Sequence, residues 1–443
     1  MAKVKKIGVI SLGCDKNRVD SEKLLYLAQN KYEITNDIED ANIIIINTCA
    51  FLESARKESL ETVFECNALR SKNLEKIILT GCLPEKFIDD IFEDLVEVDA
   101  FLGVFDYDLL LEAIELTYQG NRVNYVKKNK KVLIKNRVLT TPCHYYYLKI
   151  ADGCNNKCTY CLIPSIRGKY TSTPIEELID EVKGIGDARE IILVAQDVTR
   201  YGVDIYGKPM IVKLIRELSK LEEVEKLRLL YCYPDMLSDE LILELKTNPK
   251  LIKYVDIPLQ HASNPVLKLM NRKGTGESYL ELISKLKREV DGIAIRSTFI
   301  TGFPGETEKD FETLCEFVKK AKFTNCGFFA YSREEGTPAY KLKNQIDEEV
   351  KEKRVQKLYE IQKSISLSFT KSYLDKVVEV VCDGIDYDKQ CFVGRAYFNA
   401  PDIDGKVYFT SDDIVNQGET YSVLVESVDE YDLYGRAIDE YAE

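Results

Sequence analysis

Three cysteines fall in one short loop, Cys154-Asn155-Asn156-Lys157-Cys158-Thr159-Tyr160-Cys161, with the spacing C-x3-C-x2-C. Thiolates are soft donors that suit zinc or iron–sulfur centres. A structural zinc site takes four ligands, usually as two pairs, and no fourth close Cys or His completes this set. Ferredoxin loops also use four cysteines, at other spacings. A local triple suits a four-iron cluster with three irons held and one left open. Such an open iron can bind a small molecule, which a closed electron carrier cannot do. A zinc knuckle that borrows a distant ligand is the competing reading.

A second set is dispersed. Cys14, Cys49 and Cys82 each follow an apolar run that reads as a buried strand: Ile7-Gly8-Val9-Ile10, Ile43-Ile44-Ile45-Ile46 and Ile77-Ile78-Leu79. Helical stretches from Asp20 to Gln29 and from Leu52 to Leu69 alternate with these runs, which predicts a parallel sheet. Ligands of open parallel sheets gather beyond the carboxyl ends of the strands. The three thiols are therefore expected to converge, although they lie far apart in sequence. Three separate buried cysteines are the plainer alternative, since free Cys packs as a small apolar residue.

The strand–helix alternation repeats six times between about 143 and 340. Strands are expected at Tyr145–Ile150, Glu190–Ala195, Leu227–Tyr231, Lys253–Ile257, Ala294–Thr298 and Gly327–Tyr331. Six units are too few for an eight-fold barrel, so an open or partial (βα)6 barrel is predicted. Its active face would carry Cys154, Gln196, Asp197, Cys232-Tyr233-Pro234, Gln260-His261 and the turn Gly302-Phe303-Pro304-Gly305-Glu306. Val355, Leu358, Ile361 and Ile365 predict one amphipathic linking helix. After Lys371 short alternating runs separated by turn residues predict a small antiparallel β-barrel. The expected organisation is an α/β chain of three domains: 1–140 with a small parallel sheet, 141–370 with the partial barrel, and 371–443 with the β-barrel.

Thirteen cysteines among 443 residues, an odd number, fit metal or redox work better than a disulfide framework. With only two His, histidine-based zinc or general-base chemistry is nearly excluded. No apolar run approaches the ~20 residues that span a bilayer. The start, Met1 to Lys6, does not read as a signal peptide. A cytoplasmic location without a membrane role is expected. Net charge is −13, and 371–443 alone carries 6 basic and 17 acidic residues, a net of −11. The stretch Asn121–Val138 is opposite in sign, with seven basic residues (Arg122, Lys127, Lys128, Lys130, Lys131, Lys135, Arg137) and no acid. It reads as a solvated connector between domains.

On these residues the chain resembles the radical S-adenosylmethionine (SAM) enzymes. Cys14, Cys49 and Cys82 on a smaller α/β domain, with a TRAM-like final barrel, narrow the resemblance to the methylthiotransferases. Ser11-Leu12-Gly13-Cys14 through Glu22, Ile163–Gly168 and Ala400–Gly405 resemble the RimO branch, which modifies a ribosomal protein. Thr173 departs from the branch, where Arg often follows the serine. The resemblance implies that Cys154, Cys158 and Cys161 hold one 4Fe–4S cluster that binds SAM. It further implies that Cys14, Cys49 and Cys82 hold a second 4Fe–4S cluster that passes sulfur to the substrate, with two SAM per turnover. Tyr160 would lie against adenine, and the Gly302–Thr307 turn, with Gly302 and Gly305, would line the SAM pocket. The turn's alternative is a tight loop before a helix capped by Thr307. Gln196, Asp197 and Arg296 are expected at strand ends and are candidates for SAM's polar groups. His144 and His261 read as structural, and the remaining seven cysteines mostly as core residues, with Cys232 the exception because it sits at a strand end.

The implied substrate is an aspartate of small ribosomal subunit protein number twelve. A tRNA adenosine is the alternative, and a non-catalytic iron–sulfur carrier a third reading. Phosphate binding relies on Lys and Arg, so an acidic final barrel suits a basic protein better than nucleic acid. A low-potential donor such as flavodoxin or ferredoxin would supply electrons. The sequence assigns no sulfur source.

Overall fold

Every residue of the strand Ile43–Thr48 is buried, as expected of a central strand in a parallel sheet covered on both faces. Full burial of each isoleucine in it contributes about 1.5–3 kcal/mol. The computed structural model describes residues 4–128, 134–186 and 188–438. In the first sheet the strands run in the order 33–34, 6–11, 43–48, 76–81, 100–102, 123–125, all parallel. The order reverses beside Lys6–Ser11, so a topological switch point lies between that strand and Ile43–Thr48. The loops after these two strands carry Cys14 and Cys49.

The second sheet has six parallel strands in the order 325–330, 294–301, 251–260, 224–229, 188–194, 145–149. Its two edge strands do not pair, so it is an open partial barrel. Its outer face packs on helices through residues such as Leu193, Leu214, Leu229, Leu286 and Phe299. Its inner face contributes Tyr145, Tyr147, Ile192, Tyr254 and Ala294 to a core shared with the last barrel, through Val380, Phe398 and Phe409. That barrel is closed, in the order 377–386, 391–395, 407–410, 433–437, 420–428. Helix Glu348–Lys371 links the two. Among the described residues no helix is long and apolar enough to cross a membrane.

Several expectations need correction. The first helix begins at Asp15, not Asp20, and runs to Ala28. Its first two turns bury Lys16, Asn17, Asp20 and Glu22, so the apolar periodicity that marks a helix is absent there. Short strands at Glu33–Ile34, Ala100–Leu102 and Val123–Tyr125 widen the first sheet, and Leu433–Ala437 closes the barrel. The three pieces of the first sheet, two or three residues each, are too short to show an alternation. Helices Cys82–Ile91 and Leu110–Tyr118 add to those read from the sequence, and Asp239–Thr247 is the helix that the alternation requires between strands 224–229 and 251–260.

The basic stretch is no solvated connector at its ends. The Arg137 side chain is fully buried between Glu22 (2.8 Å) and Glu181 (3.0 Å). Arg122 donates to the carbonyls of Val98 (3.0 Å) and Leu95 (2.6 Å). Lys130 and Lys131 lie outside the described residues.

Candidate iron–sulfur and SAM site

Three turns deliver the dispersed thiols. Gly13, at φ +86°, ends the first strand's loop and leaves Cys14 as the residue that caps helix Asp15–Ala28. Cys49 follows Ile43–Thr48, and Cys82 opens the helix after Lys76–Gly81. The turns touch: a Cβ on Gly13 would lie 2.7 Å from Cβ and 3.0 Å from Sγ of Cys49. A Cβ on Gly81, at φ +96°, would collide with Asn47 Oδ1 at 2.3 Å. Asn17 ties the group together. Its Oδ1 is 3.9 Å from Cys14 Sγ and 4.0 Å from Cys82 Sγ. Its Nδ2 donates to the carbonyls of Leu12 (2.9 Å) and Thr48 (3.0 Å).

Burial pushes the Cys82 thiol up to about 12, with the Arg167 guanidinium opposing and Cys14 and Cys49 reinforcing the rise. Burial also raises Cys49. These are buried thiols close enough to repel one another as thiolates.

The local trio hangs on one loop. Gly153, at φ +77°, packs its Cα against backbone: a Cβ would lie 2.3 Å from the Lys169 carbonyl oxygen. Backbone bonds then fix the loop: Cys154 N–H to Gly168 O (3.1 Å), Thr159 N–H to Met270 O (3.1 Å), Cys161 N–H to Cys158 O (3.2 Å). Burial raises Cys154 to about 11 and Cys161 to about 12, reinforced in each by neighbouring thiols of the trio. Tyr233 Oη is 3.1 Å and Arg272 Nη1 3.9 Å from Cys158 Sγ.

One buried network joins the two trios. Arg167 Nη2 donates to Asn17 Oδ1 (2.7 Å) and lies 3.9 Å from Cys82 Sγ. Its Nη1 pairs with Asp20 (3.0 Å) and Asp152 (2.9 Å). Asp152 is two residues before Cys154 and accepts from Gly153 N–H (2.8 Å). Lys149 pairs with both aspartates. Sequence reasoning placed Arg167 only within a branch-like segment and missed Asn17, Asp152 and Arg272 as site residues. No period or spacing marks them, because they are paired only in the folded chain.

Gln196 follows its strand and donates to Asp152 (3.3 Å), while its Oε1 is buried without a partner. Gln260 ends its strand at φ +72°, and its Oε1 is likewise buried and unpartnered. Two orphaned acceptors at strand ends suit a ligand with N–H or O–H groups, such as SAM. Asp197 is fully buried and holds the cysteine loop through Asn156 Nδ2 (3.1 Å), with Thr199 (2.6 Å) and Arg200 (2.9 Å) as further partners. Tyr160 meets Phe303 edge-on at 6.5 Å. Gly302 and Gly305 lie at φ +73° and +86°, and Glu306 closes their turn by accepting from Phe303 N–H (3.1 Å) and pairing with Arg354 (2.9 Å).

Arg296 departs from its expected strand-end place. It is the third residue of strand Ala294–Thr301 and pairs with Asp256 (3.2 Å) and with Asp404 of the last barrel (3.4 Å). Its two carboxylate partners hold it between sheet and barrel. Cys232 is fully buried. His144 pairs with Asp383 (2.8 Å), and His261 lies 3.6 Å from Glu306.

The donor chemistry of both trios fits an iron–sulfur cube: three soft donors each, with Cys82 buried and the other five half-buried. Among the described residues no three His, Cys, Asp or Glu side chains close around a single ion. A cube is wider than an ion, because each thiolate takes its own iron.

Three family models match parts of the chain. Residues 148–318 match the Radical SAM superfamily, 376–438 the TRAM domain, and 6–103 the family described as Uncharacterized protein family UPF0004. The chain is 46% identical over 449 residues to "Ribosomal protein uS12 methylthiotransferase RimO" of Acetivibrio thermocellus, covering 98% of this chain and 99% of that one. It is 47% identical to the protein of that name from Caldanaerobacter subterraneus (98% and 100% covered) and 45% to that of Clostridium botulinum (97% and 97%). Among solved structures, the radical SAM methyltransferase TsrM from Kitasatospora setae superposes with a TM-score of 0.56 at 15% identity, over 76% of this chain and 77% of that one, which is a likeness of fold. The chain belongs to the RimO family of radical SAM methylthiotransferases.

Proposed function

We propose that this chain puts a methylthio group on the β-carbon of an aspartate of ribosomal protein uS12, using two SAM per turnover. The observation that carries the reading is the pair of three-thiol sites joined by Arg167 and Asp152. Cys154, Cys158 and Cys161 would hold one 4Fe–4S cluster, and Cys14, Cys49 and Cys82 a second. When bound, the first with SAM supplies a 5′-deoxyadenosyl radical for hydrogen abstraction, and the second supplies the methylthio group.

The chain's own residues do the rest. Gln196 and Gln260 offer acceptors to SAM's polar groups. Tyr160 with Phe303 offers an aromatic wall to the adenine. The Gly302–Glu306 turn closes the same pocket. Radical transfer requires reacting atoms within about 3–3.5 Å, so the substrate side chain must enter between the two trios.

The last barrel recognises the substrate protein. It exposes Tyr387 and Ile414 beside Asp386, Asp388, Asp412 and Asp413, an acidic surface with apolar points that complements a basic ribosomal protein. Nucleic acid is not the primary substrate. Electrons come from a low-potential carrier such as flavodoxin or ferredoxin, and the reaction takes place in the cytoplasm.

The test is mass spectrometry of uS12 after anaerobic incubation with the reconstituted chain, SAM and reductant. A methylthio group on one aspartate is expected. Methylthio-adenosine on unmodified tRNA, with uS12 unchanged, would overturn the reading.

A further inference from the structure

The phenol of Tyr233 touches a sulfur that the reaction uses. Its Oη lies 3.1 Å from Cys158 Sγ. Either atom could donate in a free thiol, but a cysteine that ligates iron has no proton to give. The phenol is then the donor and the thiolate the acceptor.

The placement is fixed from three sides. Pro234 follows Tyr233 and keeps its backbone extended, at φ −87° and ψ 131°. The Tyr233 N–H donates to Thr199 Oγ1 (3.2 Å), and Thr199 donates in turn to Asp197 (2.6 Å), the carboxylate that holds the cysteine loop. Arg272 lies over the Tyr233 ring at 4.0 Å and is itself pinned to the Pro258 carbonyl.

We propose that Tyr233 is a positioning residue that sets the reduction potential of the centre on Cys154, Cys158 and Cys161, by donating a hydrogen bond to the Cys158 thiolate. One-electron reduction adds negative charge to an iron–sulfur centre and its thiolates. A hydrogen bond to a ligating sulfur stabilises that charge and raises the potential. The guanidinium of Arg272 beside the same sulfur acts in the same direction. The proposal rests on the reading above that Cys158 ligates iron.

The test is EPR-monitored redox titration of the reconstituted full chain, with the signal of this centre assigned by its absence in C154A. In Tyr233→Phe the reduction equilibrium is expected to fall threefold to tenfold, the latter about 59 mV for one electron. The potential of the other centre should stay unchanged. Replacing Tyr233 with 3-fluorotyrosine, a stronger donor of the same shape, should move the potential upward. Formation of 5′-deoxyadenosine by Tyr233→Phe should slow with a weak reductant and recover with a stronger one. A structural defect would not recover.

An unshifted potential with full iron content overturns the proposal. So does loss of iron from this site alone, which would make the phenol a prop for the loop. If the wild-type chain holds no cluster on these cysteines, the proposed function falls instead, and the two failures are thereby distinguished.

Discussion

The Cys154–Cys161 loop gathers three thiols within eight consecutive residues, whereas Cys14, Cys49 and Cys82 come from three strand ends of another sheet. Each site has an arginine nitrogen 3.9 Å from one sulfur. The arginines differ in origin. Arg272 is anchored on Pro258, in the same sheet as the loop it serves. Arg167 follows that loop in sequence and reaches across to Cys82. The local site is therefore complete within the central sheet. The dispersed site needs its own sheet folded and the central one docked on it. A nucleophilic or metal-binding group of the second kind depends on tertiary structure throughout.

The largest expected effects separate the two trios. Cys154→Ala, Cys158→Ala or Cys161→Ala should abolish SAM cleavage. Cys14→Ala, Cys49→Ala or Cys82→Ala should leave 5′-deoxyadenosine formation and stop sulfur insertion. Iron should approach about eight per chain in the parent, as two four-iron clusters, and about four when either trio is lost. Product analysis by mass spectrometry with parallel iron determination checks both. Methylthiolated uS12 from a Cys14→Ala, Cys49→Ala, Cys82→Ala triple variant would break the comparison.

The same contrast explains what the sequence discloses. The C-x3-C-x2-C loop is visible as spacing because its geometry is local. The dispersed trio is visible only through the three apolar runs that precede it, each long enough to mark a buried strand. What the sequence hides is polar and long-range. Lys16 and Asn17 bury on the first turn of the first helix, where polar residues carry no apolar period, so the sequence reads that helix only from Asp20. Arg137, in a basic run that reads as solvated, has no exposed side-chain surface because Glu22 and Glu181 enclose it. Arg296 sits on a barrel strand like the SAM candidates, yet carboxylates from two domains claim it. Pairings of this kind have no period along the chain.

Arg167 tests the asymmetry directly. Arg167→Gln removes the guanidinium from buried Asp20 and Asp152, both of which still pair with Lys149. Breaking a buried ion pair from one side costs about 3–5 kcal/mol. Urea unfolding should show that loss, and iron should leave the dispersed site while the local site keeps its own. Equal loss of iron from both sites would show that Arg167 supports the whole interface rather than the Cys82 side.

A buried ion network without thiols supplies the smallest contrast. Glu190 lies between Arg228 and Arg395, where the inner face of the sheet meets the last barrel. Burial alone would raise its carboxyl, but the two guanidinium groups overcome burial and hold it down to about 2. A carboxyl depressed in the folded chain contributes stability above its unfolded value, 4.5, and loses it as pH falls toward 2. The depression corresponds to about 3 kcal/mol. Stability should therefore drop between pH 4.5 and about 2, as followed by near-ultraviolet circular dichroism of the tyrosines. Glu190→Gln should lower stability at neutral pH and flatten that acid limb. At neutral pH Glu190→Gln should not release iron, because among the described residues the partners of Glu190 are arginines and not thiols. Iron loss from Glu190→Gln at neutral pH would mean that the barrel contact and the cysteine sites share one cooperative unit, and the contrast between a chemical network and a supporting one would fail.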